Sequence, residues 1–370
     1  MEKQEFHRNA MQMLRLCACA VNRTVPDAAD TEVQDPEALF AVCEAHSLTA
    51  CTAYALESAK IRIPAFVQAK EKAVRKEILF DTERSQILAR LSEEKIWHMP
   101  LKGVPLKKLY PRIGMRQMSD NDILFDPAFR SRVREIMEER GFTCMHFGTG
   151  HNDEYTKEPV FNFEMHPMLF TETNADGMFY AYFADVKTRL QQDDKQPFLF
   201  HFTPEDYYIY LLAHEYKHYR YGGTGVRSLL DIFIFMREYE QKLDWEYLGK
   251  ELQTLHLTEF EAQNRSLAAH LFAQQSLTEA EQKQLDYFIF SGTYGTVNHE
   301  IENQLQRHDG TKGQYLFRRI FPTMKWIRGN APFFYRHKWL IPAMWIIRPV
   351  RGLLHNRQKL LTEWRMLQKK

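Results

Sequence analysis

The sequence predicts an α+β protein, with a mixed α/β core between two helical regions. Three observations lead there. Apolar residues recur at helical spacing up to about residue 90, and again from Thr203 onward. Between them, from about 91 to 200, short alternating runs are broken by glycine and proline, as strands and tight turns require. With 370 residues, 44% of them hydrophobic and 26% charged, the chain can fill sizeable cores, and no low-complexity tract or repeat interrupts it.

The first region, 1–90, reads as helices. Phe40, Val42, Cys43 and His46 fall on helical spacing, and Ala65 to Leu91 forms a long charged amphipathic run. The five cysteines are Cys17, Cys19, Cys43, Cys51 and Cys144; odd in number and without paired zinc spacing, they read as free, mostly buried thiols. The polar start, Met1-Glu2-Lys3-Gln4-Glu5, lacks the apolar stretch of a secretion signal, so a cytoplasmic location is expected. No uncharged apolar stretch of about 20 residues is present, so no transmembrane segment is expected.

The second region, 91–200, carries the chemistry. Lys95 to Lys102 ends a polar helix and reads as a short strand entering Gly103. Pro105 suits the first turn of a helix, which Leu106 to Tyr110 continue and which Pro111 and Gly114 close. From Met115 to Phe125 the chain reads as extended, and Asp126-Pro127 opens the next helix. Alternation along that strand turns Asp120 and Asp122 to one face, where paired carboxylates suit a hard divalent cation, Mg2+ or Mn2+. A glycine at a strand-to-helix turn lets phosphates approach backbone N–H groups, with Lys102 and Arg116 near enough in sequence to add positive charge. Further on, Asn162, Glu164 and His166 share one strand face, and Phe161, Phe163 and Met165 share the other, core-facing one. The stretch Gly148 to Asp153 reads as a hairpin loop.

Leu101-Lys102-Gly103, a short helix ending in Tyr110-Pro111, then Arg116 and Asp120-Asn121-Asp122 together resemble the polymerase-β-like nucleotidyltransferase superfamily. More narrowly, they are similar to the uncharacterised bacterial family labelled nucleotidyltransferase type 5. The resemblance extends upstream to Pro36–Phe40 and Ala45–Leu48, and downstream to Phe163–His166 and the helix bearing His214 and His218. The chain departs from the superfamily's pattern in having Val104 beside the glycine and the polar Asn121 between the aspartates. The resemblance implies a mixed-sheet nucleotidyltransferase core in which Asp120, Asp122 and Glu164 are catalytic and hold the metal. It implies that Lys102, Gly103 and Arg116 bind the nucleotide, with His166 in a supporting place. It also implies transfer of a nucleoside monophosphate from an NTP to a hydroxyl of a small molecule, a protein or an RNA end.

Two other functions compete. His214-Glu215-Tyr216-Lys217-His218 matches the H-E-x-x-H pattern of zinc hydrolases on a helix that Thr203, Pro204, Glu205 and Asp206 can start. The extended metzincin pattern is absent, because Gly222 and Gly223 are off register and no third histidine follows; Glu238 is the remaining candidate ligand. The resembled family also carries His and Lys-His on this helix, followed by a glycine turn, an Arg and an Asp, here Arg227 and Asp231. The third function, a degenerate nucleotide-binding scaffold, is motivated by Val104 and Asn121.

The last region, 201–370, returns to helix, with Leu229, Ile232, Phe233 and Phe235 as a core stripe. From Thr311 to Lys370 it carries 14 Lys or Arg against the single acid Glu363. That tail charge of +13, against +1 for the whole chain, leaves −12 on the first 310 residues. Three readings of the aromatic, basic tail stay open: docking on the acidic body, binding nucleic acid, or contact with an anionic membrane surface through Trp339 to Ile347. Pro322, Pro332, Pro342 and Pro349 exclude one continuous amphipathic helix.

Overall fold

The computed structural model describes residues 2–148, 150–172, 177–221, 223–291, 317, 321–324, 327, 331–345 and 347. Five helices come first: α1 (Lys3–Asn22), α2 (Ala28–Thr31), α3 (Pro36–Ala45), α4 (Thr49–Ser58) and the long α5 (Pro64–Glu93). The mixed segment follows with β1 (His98–Pro100), α6 (Gly103–Lys107), β2 (Asn121–Phe125), α7 (Arg130–Glu139), β3 (Thr143–His146), β4 (Asp153–Lys157) and β5 (Phe161–His166). After α8 (Gly177–Tyr182), β6 (Leu190–Gln192) and β7 (Phe200–Phe202) form a separate two-stranded sheet. The chain then runs through α9 (Pro204–Tyr221), α10 (Arg227–Tyr239), α11 (Trp245–Thr254), α12 (Thr258–Phe272) and α13 (Glu279–Ser291).

Local signals explain the boundaries. Asp35 caps α3 by accepting from the backbone N–H groups of Glu37 and Ala38, and Pro36 and Pro64 occupy first-turn positions that need no donor. Thr203 caps α9 through the Asp206 N–H (3.1 Å), with Glu205 and Asp206 in its first turn. The five-stranded sheet has the order β1-β2-β5-β4-β3. Only the β2–β5 pair is parallel, with Asp122 beside Glu164 and Leu124 beside His166; the other pairs are antiparallel. Pro100 is tolerated because β1 is an edge strand of this sheet.

The two faces of the sheet meet different cores. On one, Ile123, Phe125, Phe163 and Met165 pack against Ile87 and Leu91 of α5 and Val133, Ile136 and Met137 of α7. On the other, Leu124 joins a large cluster drawn from α1, α3, α4 and α9 to α13. The first and last helical stretches therefore share one core, and α1 packs directly on α12 and α13. The stripe on α10 is in that core: Leu229, Ile232 and Phe235 are buried, with Phe233 packed against them.

Two expectations are corrected. Met115 to Ser119 are not strand; β2 begins at Asn121, and the preceding loop is held by side chains instead of a ladder. Gln117 accepts from the Thr49 hydroxyl (2.8 Å) and the Ala50 N–H (3.0 Å), and Gly114 N–H donates to Glu77 (2.7 Å). The helix after Gly103 likewise ends at Lys107, short of Tyr110; from there Leu109 and Tyr110 continue in tighter i→i−3 turns (2.9 and 3.2 Å), while the Lys107 ammonium pairs with Glu77 (3.0 Å) and Asp81 of α5. The polar Asn121 points into the α5 face, where the Arg84 guanidinium donates to its carbonyl oxygen (2.7 Å). All five cysteines are free and four are buried.

The basic tail lies mostly outside the described residues. Within it, Ile327, Ile341 and Met344 form a small buried cluster, whereas Trp339 is 77% exposed. Among the described residues no helix is long and apolar enough to cross a membrane.

Arg84→Ala would strand the buried Asn121 carbonyl without its donor. It should cost about 2–3 kcal/mol of stability, read as a lower urea midpoint with an unchanged slope. A midpoint equal to that of the unaltered protein would contradict this role.

Candidate active site

The β2–β5 register sets the site. Asp122 is 2% exposed and stands beside Glu164, while alternation along β5 puts His166 on the same face. His166 Nε2 lies 2.9 Å from Asp122 Oδ1 and 3.4 Å from Glu164 Oε2. The Lys102 ammonium lies between the carboxylates, 2.5 Å from Asp122 and 3.5 Å from Glu164. Asp120, one residue before β2, lines the same cleft outside this knot. The cleft has a volume of about 410 Å³ and is walled on its far side by α9 and α10.

Charge follows geometry. Burial alone would raise Asp122, yet Lys102 and the His166 hydrogen bond hold it well below the usual carboxylate range. Burial works against the charged forms of Lys102 and His166, but the neighbouring carboxylates win and raise both. Asp120 is raised by burial and by the charge of Asp122.

The turn that delivers Lys102 is unusual. Lys102 itself adopts φ 47°, ψ −116°, a conformation side chains rarely take, while the helix-starting Gly103 serves a different need. A Cβ on Gly103 would sit 1.9 Å from Arg116 Nη1, so glycine is demanded by the close approach of that guanidinium. The Lys102 carbonyl accepts from the Tyr207 hydroxyl of α9 (2.6 Å), and the Leu101 N–H donates to the Asp122 carbonyl (2.9 Å). Arg116 lines the cleft, but its guanidinium is buried in a bidentate pair with Asp231 of α10 (2.8 Å twice), which also accepts from Tyr110 (2.7 Å). Arg227, one helical turn before Asp231, donates to the Gln117 carbonyl (3.1 Å).

The sequence-predicted residues Lys102, Gly103, Arg116, Asp120, Asp122 and Glu164 thus all border one cleft. Asp122, Glu164 and His166 are the ones with ligand atoms within 4.8 Å of one another. This donor set fits a divalent ion: two carboxylates with one imidazole suit Mn2+ and, with the oxygen ligands leading, Mg2+. Sequence reasoning missed Tyr207, Arg84 and the Tyr110–Asp231–Arg116 latch. The Arg227 and Asp231 spacing of one helical turn was the available signal, since it sets both on one face of α10.

The H-E-x-x-H helix borders the same cleft. His214 and His218 approach to 3.3 Å between Nε2 atoms. Among the described residues no third Cys, His, Asp or Glu joins them as a ligand, and Glu238 is exposed and paired with Lys242 (2.6 Å). Glu215 is 5% exposed and faces Ser228 and Asp231 of α10. Burial, with Asp231 adding to it, pushes its carboxyl up to about 8. A zinc-hydrolase centre therefore lacks its third ligand here.

Residues 32–273 match the family described as "Uncharacterised nucleotidyltransferase", and the chain belongs to that family. The solution structure of the antibiotic-resistance factor ANT(2'')-Ia is similar at 13% identity, over 52% of this chain and 90% of that one, with a TM-score of 0.26. No curated protein matches the chain.

The state of Glu215 sets a pH dependence. Its folded value of about 8 lies above the unfolded carboxylate value, so the folded chain binds the extra proton between the two. Its effect on stability should therefore be least harmful below about pH 4 and worsen as pH rises to about 8. Glu215→Gln should remove that slope and raise stability at pH 8 by about 1–3 kcal/mol, measured by urea unfolding across pH. Identical slopes in the two proteins would refute this.

Proposed function

We propose that the chain transfers a nucleoside monophosphate from an NTP to a hydroxyl acceptor, using a divalent ion held by Asp122 and Glu164 with Asp120 and His166 in support. The observation that carries this reading is the register pairing of Asp122 with Glu164 at the floor of an open cleft, with an ammonium between them. A buried and a half-buried carboxylate side by side call for a cation, and Lys102 supplies one within the chain itself.

When bound, Mg2+ or Mn2+ would neutralise phosphate charge and lower the pKa of the acceptor hydroxyl. The chain's own residues do the rest. Asp122 and Glu164 would hold the ion, and His166 orients both carboxylates through its Nε2. Asp120, raised by burial and by its neighbour, is placed at the cleft to take the acceptor proton as well as to ligate. Lys102 offers an ammonium to the phosphates, and its strained turn is held by Tyr207. Arg116 acts from behind: it props the Gly103 turn through its pair with Asp231. In-line attack at the α-phosphorus would then release pyrophosphate, with alignment and charge compensation supplying most of the rate.

In this reading residues 91–200 form the nucleotidyltransferase core, and the helices after 200 build the acceptor side. The acceptor is a small molecule, protein or RNA end bearing a hydroxyl.

Transfer of label from the four α-phosphate-labelled NTPs should fall by on the order of 10²–10³ in Asp120→Ala/Asp122→Ala. His166→Gln should lose about 10–100-fold, mainly through weaker metal activation. Undiminished transfer in the double variant, with its circular dichroism unchanged, would end this assignment.

A further inference from the structure

The wall of the cleft formed by α9 carries a feature that the transfer chemistry does not use. His214 and His218 stand one helical turn apart, their rings 4.6 Å between centroids and inclined at 62°. Their Nε2 atoms are 3.3 Å apart. That distance lets one ring donate a hydrogen bond to the other. It is the separation of two nitrogens each about 2.05 Å from one ion and subtending a tetrahedral angle, roughly 3.3 Å. Both rings border the cleft that contains Asp120, Asp122 and Glu164.

We propose that His214 and His218 bind a borderline transition-metal ion such as Zn2+ or Ni2+, at a site separate from the acidic knot and with open coordination positions facing the cleft. Imidazole nitrogens select this class over Mg2+. Desolvation of the half-buried His214, with His218 and Lys102 adding to it, lowers that ring and keeps it in the neutral form that ligation requires. Lys102 and Lys217 oppose an added positive charge, so the bond rests on nitrogen donation and not on net attraction. Glu215 cannot be a third ligand in this geometry. It sits one residue, about 100° of helix, away from His214 and is buried beside the charges of Asp231 and Arg227. Two protein ligands leave positions for oxygen atoms of whatever occupies the cleft, such as phosphate or the acceptor.

The test is a calorimetric titration of the metal-stripped full chain with ZnCl2, without nucleotide, alongside electron paramagnetic resonance of the Cu2+-loaded protein. One Zn2+ per chain is expected at the histidine pair, in addition to any taken by Asp122, Glu164 and His166, and it should be weakened at least tenfold in both His214→Gln and His218→Gln. It should be retained in Asp122→Asn/Glu164→Gln. In that carboxylate variant the Cu2+ spectrum should report two imidazole nitrogens, and one when either His214 or His218 is also replaced. Because His218 is exposed and His214 half-buried, both variants should keep their circular dichroism. Unchanged zinc binding in the histidine variants, or its loss in the carboxylate variant, would overturn the proposal. No nucleotide enters the titration, so a failure of the transferase reading and a failure of this one are separable.

Discussion

Two carboxylates forced side by side constrain everything near the cleft. The parallel β2–β5 pairing leaves Asp122 no position except beside Glu164, on a sheet face otherwise covered by helices. In a low-dielectric setting such a pair is costly unless positive charge is brought to it. The chain answers with Lys102 and His166, and the strain at Lys102 becomes intelligible. The backbone bends into a poor conformation because the ammonium must reach the carboxylates from the end of an edge strand, and Tyr207 holds the bend in place.

That same bend ties the sheet to the helices. Gly103 sits directly on the Arg116 guanidinium, which is anchored to Asp231 of α10, and Tyr110 closes the latch. The next residue, Gln117, reaches the other way and holds the start of α4, while Arg227 holds the Gln117 carbonyl. Helices from both ends of the chain thus converge on the loop that precedes Asp120. The loop is irregular because its hydrogen bonds run to α4, α5 and α10 and not to a neighbouring strand.

Much of this was legible in the sequence, and the residues say why. The long helix α5, the core stripe on α10 and the alternation of Phe163, Glu164, Met165 and His166 depend on periodicity, which survives in one dimension. Asp122 follows the same rule, whereas Asp120 lies one residue before β2 and borders the cleft from the loop. Arg116 was read as a phosphate contact because its charge is visible and its partner is not: Asp231 lies 115 residues further on. Gly103 was read for its backbone freedom, whereas the structure uses its missing side chain. Asn121 looked out of place between aspartates until Arg84, on the opposite side of the strand, supplied its donor. Each of these depends on a tertiary contact that local pattern cannot encode.

The helix α9 sharpens that distinction. Its H-E-x-x-H string obeys a local rule, and the helix does bring His214 and His218 together as the rule requires. What a hydrolase needs beyond the string is a third ligand and a carboxylate aimed at bound water. Neither requirement is local, and here Glu215 is rotated into packing beside α10 while the described surroundings supply no further ligand. The surroundings supply acidic side chains across the cleft and a lysine-bearing turn at its floor. A histidine pair placed opposite carboxylates takes its chemical meaning from that company, as one wall of a cleft floored by acids and a lysine.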